Sequence, residues 1–231
     1  MIDIHTHLLP FVDDGVKNYE ESVEIISDMV SQGVKHIFLT PHYYRLRNFL
    51  SSYDDNLKIF QTLKEKIIQE NLDISLHLAN EIKYSSDTLK DIEKEKVKPL
   101  NENLYLIEFS VNETMYEISE AVYNMTAKNY QPILAHIERY NHLNQIEDIK
   151  GLKKIGAFIQ VNISSLLGHR GGRTKRWIKR LIKNDLIDFI ASDTHVFRKN
   201  LMVQGYQYVE NKFSKAVAEK LFNNQIILHK V

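Results

Sequence analysis

Short runs of apolar and β-branched residues recur along the chain, each followed by a longer stretch whose apolar positions return at helical spacing. The runs IDIH (2–5), VKHIFLT (34–40), ISLHLAN (74–80), LYLIEF (104–109), PILAH (132–136), AFIQVN (157–162) and LIDFIAS (186–192) read as strands. YEESVEIISDMVSQG (19–33), DDNLKIFQTLKEKIIQEN (54–71), SDTLKDIEKEK (86–96) and MYEISEAVYNMTAKN (115–129) read as helices. So do EDIKGLKKIG (147–156), RTKRWIKRLIKND (173–185) and, after the last strand, QGYQYVENKFSKAVAEKLF (204–222). Seven strands alternating with seven helices imply βα units with parallel strands. No Pro- or Ser-rich linker interrupts them, so residues 1–231 are expected to form one domain.

Local signals support the helices. In 19–33, Val23, Ile26, Met29 and Val30 share a face, Glu20, Glu21, Glu24 and Asp28 fill the others, and Gly33 follows as a C-cap. Gly156 punctuates the helix before it in the same way.

Composition then narrows the chemistry. The 231 residues suffice for one large core, and 30 basic against 30 acidic residues give no overall charge to draw nucleic acid or an anionic membrane. There is no cysteine, which excludes disulfides, thiolate metal sites and cysteine nucleophiles together. The first residues have neither the charge pattern nor the apolar length of a signal peptide or membrane span, so the expected location is the cytoplasm.

The carboxyl ends of the strands carry the remaining signal. They deliver His5 and His7, then Pro41-His42, Glu81, Glu108, His136, and finally Asp193 and His195. Six of seven strands thus end on a histidine or carboxylate. In a closed parallel barrel these ends converge on one face, whereas an open sheet spreads them along an edge. Convergence favours a barrel, and a thiolate-free cluster of imidazoles and carboxylates suits borderline-to-hard divalent metals. Within an extended chain residues i and i+2 point the same way, so His5 with His7, and Asp193 with His195, can each face one ion. Glu108 reads as a ligand or as a rim carboxylate paired with an arginine. Asp13 and Asp14, in the tract D-D-G, read equally as a turn or as ligands. His36, His77, His142, His169 and His229 have the placement of surface or satisfied core histidines.

The stretches MIDIHTH, FVDDG, TPH, ANEI, LIEFS, AHIERY, QVNIS and IASDTH, in this order, resemble the PHP (polymerase and histidinol phosphatase) superfamily. Within it they look most like the manganese-dependent protein-tyrosine phosphatases of Gram-positive bacteria, the CpsB/YwqE type. The resemblance implies an α/β fold, a distorted TIM-like (β/α)7 barrel, with three divalent ions, most simply Mn2+, with Fe or Zn also suited to such donors. By residue, it puts His5, His7, Glu81 and Asp193 on one ion and Glu108, His136 and the bridging Glu81 on a second. Asp14, His42 and His195 hold the third, which leaves Asp13 a structural neighbour. Arg139 matches an arginine that binds the substrate phosphate. The family's second such arginine stands in a Gly- and Pro-containing loop, and here the stretch is SDTHVFRKNLM, with Arg198 in its stead. Arg45 and Arg47 in YYRLRNF read as contacts for an acidic substrate or as solvated charges.

The implied reaction is hydrolysis of phosphotyrosine by direct attack of a hydroxide bridging the ions, with no phosphoenzyme. The implied partner is the phosphorylated, tyrosine-rich tail of a membrane-associated bacterial tyrosine kinase that controls capsular or extracellular polysaccharide synthesis. A small-molecule phosphatase such as histidinol-phosphatase is the alternative, and a non-catalytic scaffold that keeps the metal cluster is a third reading. The basic stretch HRGGRTKRWIKRLIK (169–183) has the pattern of a nucleic-acid or membrane surface. Its helical spacing instead puts Trp177, Ile178, Leu181 and Ile182 on an apolar face and leaves the charges to solvent, where they can steer an acidic substrate.

Overall fold

A computed structural model describes residues 1–47, 49–195 and 201–228. The strands are β1 (Ile2–Thr6), β2 (His36–Leu39), β3 (His42–Tyr43), β4 (Ser75–Leu78) and β5 (Glu81–Lys83). They continue with β6 (Leu104–Glu108), β7 (Gln131–Leu134), β8 (Phe158–Asn162) and β9 (Phe189–Ala191). All seven expected strands are present, and the second and third are each followed by a further short strand. Pro41 has no N–H for a ladder, which separates β2 from β3, and Ala79-Asn80 separates β4 from β5 beside it. Every pairing between these strands is parallel, in the orders β1-β2-β4 and β3-β5-β6-β7-β8-β9. Because β2 runs into β3 and β4 into β5, the two sets form one curled parallel sheet. Its outer members meet just past the strand ends, where Asp193 N donates to His5 O and His7 N to Thr194 O, both at 2.9 Å.

The helices are α1 (Tyr19–Ser31), α2 (Tyr53–Gln69), α3 (Thr88–Glu93), α4 (Met115–Thr126) and α5 (Ile146–Lys154). Then come α6 (Ile163–Leu167), α7 (Gly172–Lys183), α8 (Met202–Lys212) and α9 (Lys215–Phe222). In α1 the Asn18 side chain accepts from Glu21 N at 2.8 Å, Ile26 and Met29 are buried, and Gly33 at φ +82° leads the chain out. The α4 start is a capping box of Thr114 and Glu117. The single helix expected over 204–222 is in fact two. Ser214 is extended and caps α9 by accepting from Val217 N, which ends α8 at Lys212. The short α6 carries too few apolar positions for periodicity to reveal it.

Two apolar clusters fill the fold. The larger joins the helices to strand residues such as Ile37, Ile107, Leu134, Val161 and Ile190. The smaller lies on the other face of the sheet and contains Ile4, Phe38, Leu104, Leu106, Ile133, Phe189 and Ala191. Along that second face the chemistry changes with height. Leu104 and Leu106 precede Glu108, Phe189 and Ala191 precede Asp193, and Ala79 precedes Glu81, each at a spacing of two. In β1 the register slips between Asp3 and Thr6, and such a slip exchanges faces. Ile2 and Ile4 therefore join the small cluster below, while His5 and His7 above point to the same side as the other strand ends.

Candidate metal centre

The strand ends bring the expected donors together. Glu81 Oε2 lies 3.1 Å from His5 Nε2, 3.2 Å from His7 Nε2 and 3.0 Å from His42 Nδ1. The two Nε2 atoms of His5 and His7 are 3.3 Å apart, and Asp193 Oδ1 stands 3.8 and 3.5 Å from them. On the other side of the same carboxylate, Glu81 Oε1 is 3.0 Å from His136 Nε2, which in turn is 3.5 Å from Glu108 Oε1. Asp14 Oδ1 completes a third group, 3.5 Å from both His42 Nε2 and His195 Nε2.

These separations fit a metal cluster. Donors about 2.1 Å from a shared ion stand roughly 3.0–3.4 Å apart in octahedral or tetrahedral arrangements. Glu81 Oε2 and His42 Nδ1 are both buried and form no hydrogen bond despite their proximity. A buried carboxylate oxygen faced by three imidazoles and hydrogen-bonded to none is poorly satisfied without a cation. The groups overlap more than a division into three sets suggests: His7, Asp14, His42 and His195 converge, as do His5, His7 and Glu81, and His42, Glu81 and Glu108. His42 faces both ways, Nδ1 toward Glu81 and Nε2 toward Asp14.

Around the donors lies a buried set of polar side chains that fix their orientation. His7 Nδ1 donates to Asp13 Oδ2 at 2.7 Å, which leaves Nε2 as the lone-pair nitrogen at the centre. The same Asp13 carboxylate accepts from His42 N at 2.9 Å and from Gly15 N at 2.9 Å, so Asp13 orients its neighbours while Asp14 is the member that stands with His42 and His195. Gly15 is required by proximity, because a Cβ there would sit 2.0 Å from His7 O. Gln160 Oε1 accepts from His5 Nδ1 at 3.4 Å and from His136 N at 2.6 Å. Its Nε2 donates to Asn162 Oδ1 at 2.9 Å, and Asn162 Nδ2 donates to Asp193 Oδ2 at 2.7 Å. Gln160 and Asn162 were not among the expected site residues; two amides spaced by two in an otherwise apolar strand are the signal that marks them.

Backbone and charge complete the picture. His136 and Asp193 hold left-handed conformations at φ +34° and +52°, a cost of about 1–3 kcal/mol each that tertiary structure must offset. Burial opposes charge on His5 and His7, but Glu81 and Asp193 around the first and Asp13 and Glu81 around the second win, raising both imidazoles above their ordinary range. Burial likewise opposes ionisation of Glu81 and Asp193, and the adjoining histidines, with Arg139 for Asp193, hold both carboxyls far below the usual range. Asp14, bonded to His195, is also held low. The centre thus presents ionised carboxylates, the form that ligates metals.

The other expected residues divide clearly. Arg139, on the 3-10 turn Ile137–Arg139, hydrogen-bonds Asp193 Oδ2 and is 18% exposed at the side of the centre. Arg198 lies outside the described residues. Arg45 is tied to Asp91 at 2.6 and 2.8 Å, whereas Arg47 stands 3.7 Å from Asp14 Oδ2 at the mouth. Glu108 pairs with Lys83 Nζ at 3.4 Å and with His136 and, among the described residues, not with an arginine. His142 and His169 are exposed, and His36 and His77 face each other at 3.2 Å in the strands, away from the centre. His229 lies outside the described residues.

A family model for capsular polysaccharide synthesis, CpsB/CapC, matches residues 1–228. The chain is 34% identical to the tyrosine-protein phosphatase CpsB of Streptococcus agalactiae serotype III (strain NEM316), with 99% of this chain and 98% of that protein covered. It is 31% identical to the tyrosine-protein phosphatase YwqE of Bacillus subtilis (strain 168), over 98% and 93% of the two chains. A crystal structure from work on YwqE of Bacillus subtilis and CpsB of Streptococcus pneumoniae, metal-dependent tyrosine phosphatases, matches with a TM-score of 0.90 at 28% identity. It covers 100% of this chain and 96% of that one. Among the described residues, no helix is long and apolar enough to cross a membrane.

Proposed function

The chain belongs to the CpsB/CapC family of capsular polysaccharide synthesis, and from that premise we propose that it is a manganese-dependent protein-tyrosine phosphatase. Its substrate is the phosphorylated tail of a bacterial tyrosine kinase that governs polysaccharide synthesis. It works in the cytoplasm as a single domain, a distorted (β/α)7 barrel closed where Asp193 and Thr194 meet β1. The observation that carries the reading is Glu81, whose two oxygens face separate sets of imidazoles. We assign His5, His7, Glu81 and Asp193 to one ion, Glu81, Glu108 and His136 to a second, and Asp14, His42 and His195 to a third. Bound there, divalent ions neutralise phosphoryl oxygens and make water nucleophilic at neutral pH.

The chain's own residues do the rest. Asp13 and Gln160 fix the tautomers of His7 and His5 so that both Nε2 lone pairs face inward. Arg139 orients Asp193 and offers a planar, charge-assisted donor set to the nonbridging phosphoryl oxygens. Arg198 is assigned the second such role by position in sequence, and Arg47 stands beside Asp14. A phenol leaves with a pKa of about 10, so it needs little proton donation. With no cysteine in the chain, a cysteinyl-phosphate route is closed.

Exposed apolar side chains on loops that follow the strand ends favour a polypeptide substrate over a small polar one. Phe11 is 59% exposed, Leu46 89% and Val111 45%. The test strips the protein with a chelator, restores manganese, and measures phosphate release from a phosphotyrosine peptide beside histidinol phosphate. Metal-restored release favouring the peptide is expected, with a loss of 10²-fold or more in Arg139→Ala, the scale at which removing one transition-state donor is felt. Preference for histidinol phosphate would move the chain to the small-molecule branch, and no release from either would end both readings.

A further inference from the structure

The basic helix α7 does more than face solvent. Beside the turn that carries Arg139, it forms one wall of a groove of about 610 Å³, lined by Arg173, Arg176, Trp177 and Arg180 and, opposite, by Glu138 and Asn141. Ile178, Leu181 and Ile182 bury the other face of α7 in the core, which fixes the arginines in place on a rigid element. None of the three arginines has a carboxylate within 4.0 Å among the described residues, although the chain is full of surface ion pairs. Arg180 lies over the Trp177 ring at 5.5 Å, a cation–π contact that restrains its guanidinium beside the groove. Glu138 is the one acid lining the groove among the described residues, and its Oε1 accepts from Asn162 N at 3.2 Å. Three positive charges against one negative leave the groove cationic.

The groove lies beside the site. Glu138 of its lining and Arg139 are consecutive residues, so their Cα atoms are about 3.8 Å apart, and Arg139 is bonded to Asp193 of the centre. Residues flanking a phosphotyrosine held at Arg139 are therefore within reach of this groove. Unpaired arginines on a concave wall match carboxylates on such a chain, each able to take a bidentate pair. A flat lipid headgroup layer would not reach into a concavity between a helix and a turn.

We infer that the groove between α7 and the 137–145 segment is a substrate subsite that binds acidic side chains flanking the phosphotyrosine, so that the protein selects acidic phosphopeptides. This rests on the phosphotyrosine-phosphatase reading. The test compares manganese-loaded wild type with the combined variant Arg173→Ala, Arg176→Ala, Arg180→Ala, all three being exposed positions. The substrates are para-nitrophenyl phosphate, a phosphotyrosine peptide with glutamates on both sides, and the same peptide with glutamines instead. Wild type is expected to favour the acidic peptide about tenfold through KM, with the preference weakening as salt rises. The variant should lose that preference while keeping kcat and its turnover of para-nitrophenyl phosphate.

Equal handling of both peptides by wild type, or a preference surviving in the variant, overturns the inference. Binding is read separately, by fluorescence anisotropy of the labelled acidic peptide. If no substrate is turned over, the phosphatase reading fails, but a tenfold weaker binding in the variant still upholds the groove and equal binding still overturns it. Anisotropy lost equally to phosphatidylserine vesicles and to glutamine peptide would mark a general anion surface and also overturn it.

Discussion

At the residue scale, the centre depends on atoms that are not themselves donors. Asp13 grips His7 and the His42 backbone with one carboxylate, and Gly15 lets that loop lie against His7 O with no room for a side chain. Gly15→Ala therefore pushes backbone against backbone, where relief is expensive. The expected result is a loss of about 2–3 kcal/mol in denaturant unfolding, together with weaker manganese binding by calorimetry. An unchanged unfolding midpoint would show that the loop yields more readily than its contacts suggest. The sequence displayed His5 with His7 and Asp193 with His195 openly because two pairs of donor types at period-two spacing are rare by accident. Spacing alone did not separate Asp13 from Asp14, which only the family resemblance did, since which member of the pair turns inward is set by the loop that Gly15 permits.

At the scale of elements, most strands contribute an apolar base and a histidine or carboxylate at or beyond the tip, and the base has its own vulnerability. His77 in β4 stacks on Phe38 at 4.4 Å and faces His36, and burial, with His36 and Lys64 next, pushes its pKa down to about 4. The unfolded imidazole titrates near 6.5, so between these values the unfolded chain binds more protons. The contribution is fully present above pH 6.5 and is lost as pH falls toward 4. His77→Phe removes this liability. Between pH 6.5 and 4.5 the variant should lose about 1 kcal/mol less stability than wild type, after allowing for the partial exposure of the ring, as thermal melts of both at each pH would show. Parallel melts of wild type and variant across that range would contradict it. Strand positions were legible in the sequence as apolar β-branched runs. The breaks at Pro41 and Asn80, the split of the last helix at Ser214 and the amide pair of β8 stand out less: Pro41, the Ser214 cap and the Gln160-Asn162 spacing are local signals that leave the surrounding apolar pattern unbroken, and the Asn80 break lies beside the one at Pro41.

For the molecule as a whole, the centre converges carboxylate oxygens and imidazole nitrogens on common points, so stability and metal content should move together. A ligand that binds only the folded form at a hundred times its Kd adds about 2.7 kcal/mol, and for a chain of 231 residues each kcal/mol moves Tm by roughly 2–4 °C. Chelation should lower Tm by about 5–10 °C for each tightly held ion, and restored manganese should return it. A melt indifferent to chelator would deny that the donors hold ions. The convergence of strand ends was legible because parallel βα order leaves few ways to arrange them. The overlap of the donor groups was not, since it depends on which way His42 and Glu81 turn.

The meeting of β1 with the segment after β9 also has a bearing on when the molecule becomes active. Asp3 accepts from Ser192 N across 189 residues of chain, and His5 and His7 are joined to Asp193 and Thr194 just above. During synthesis the first histidines emerge roughly 10–40 s before the last donors, at usual elongation rates. A nascent chain can thus hold only part of the cluster, and the nucleus that assembles it must bridge nearly the full length of the polypeptide. Assembly of the full set of His, Asp and Glu side chains therefore waits until translation has passed residue 195.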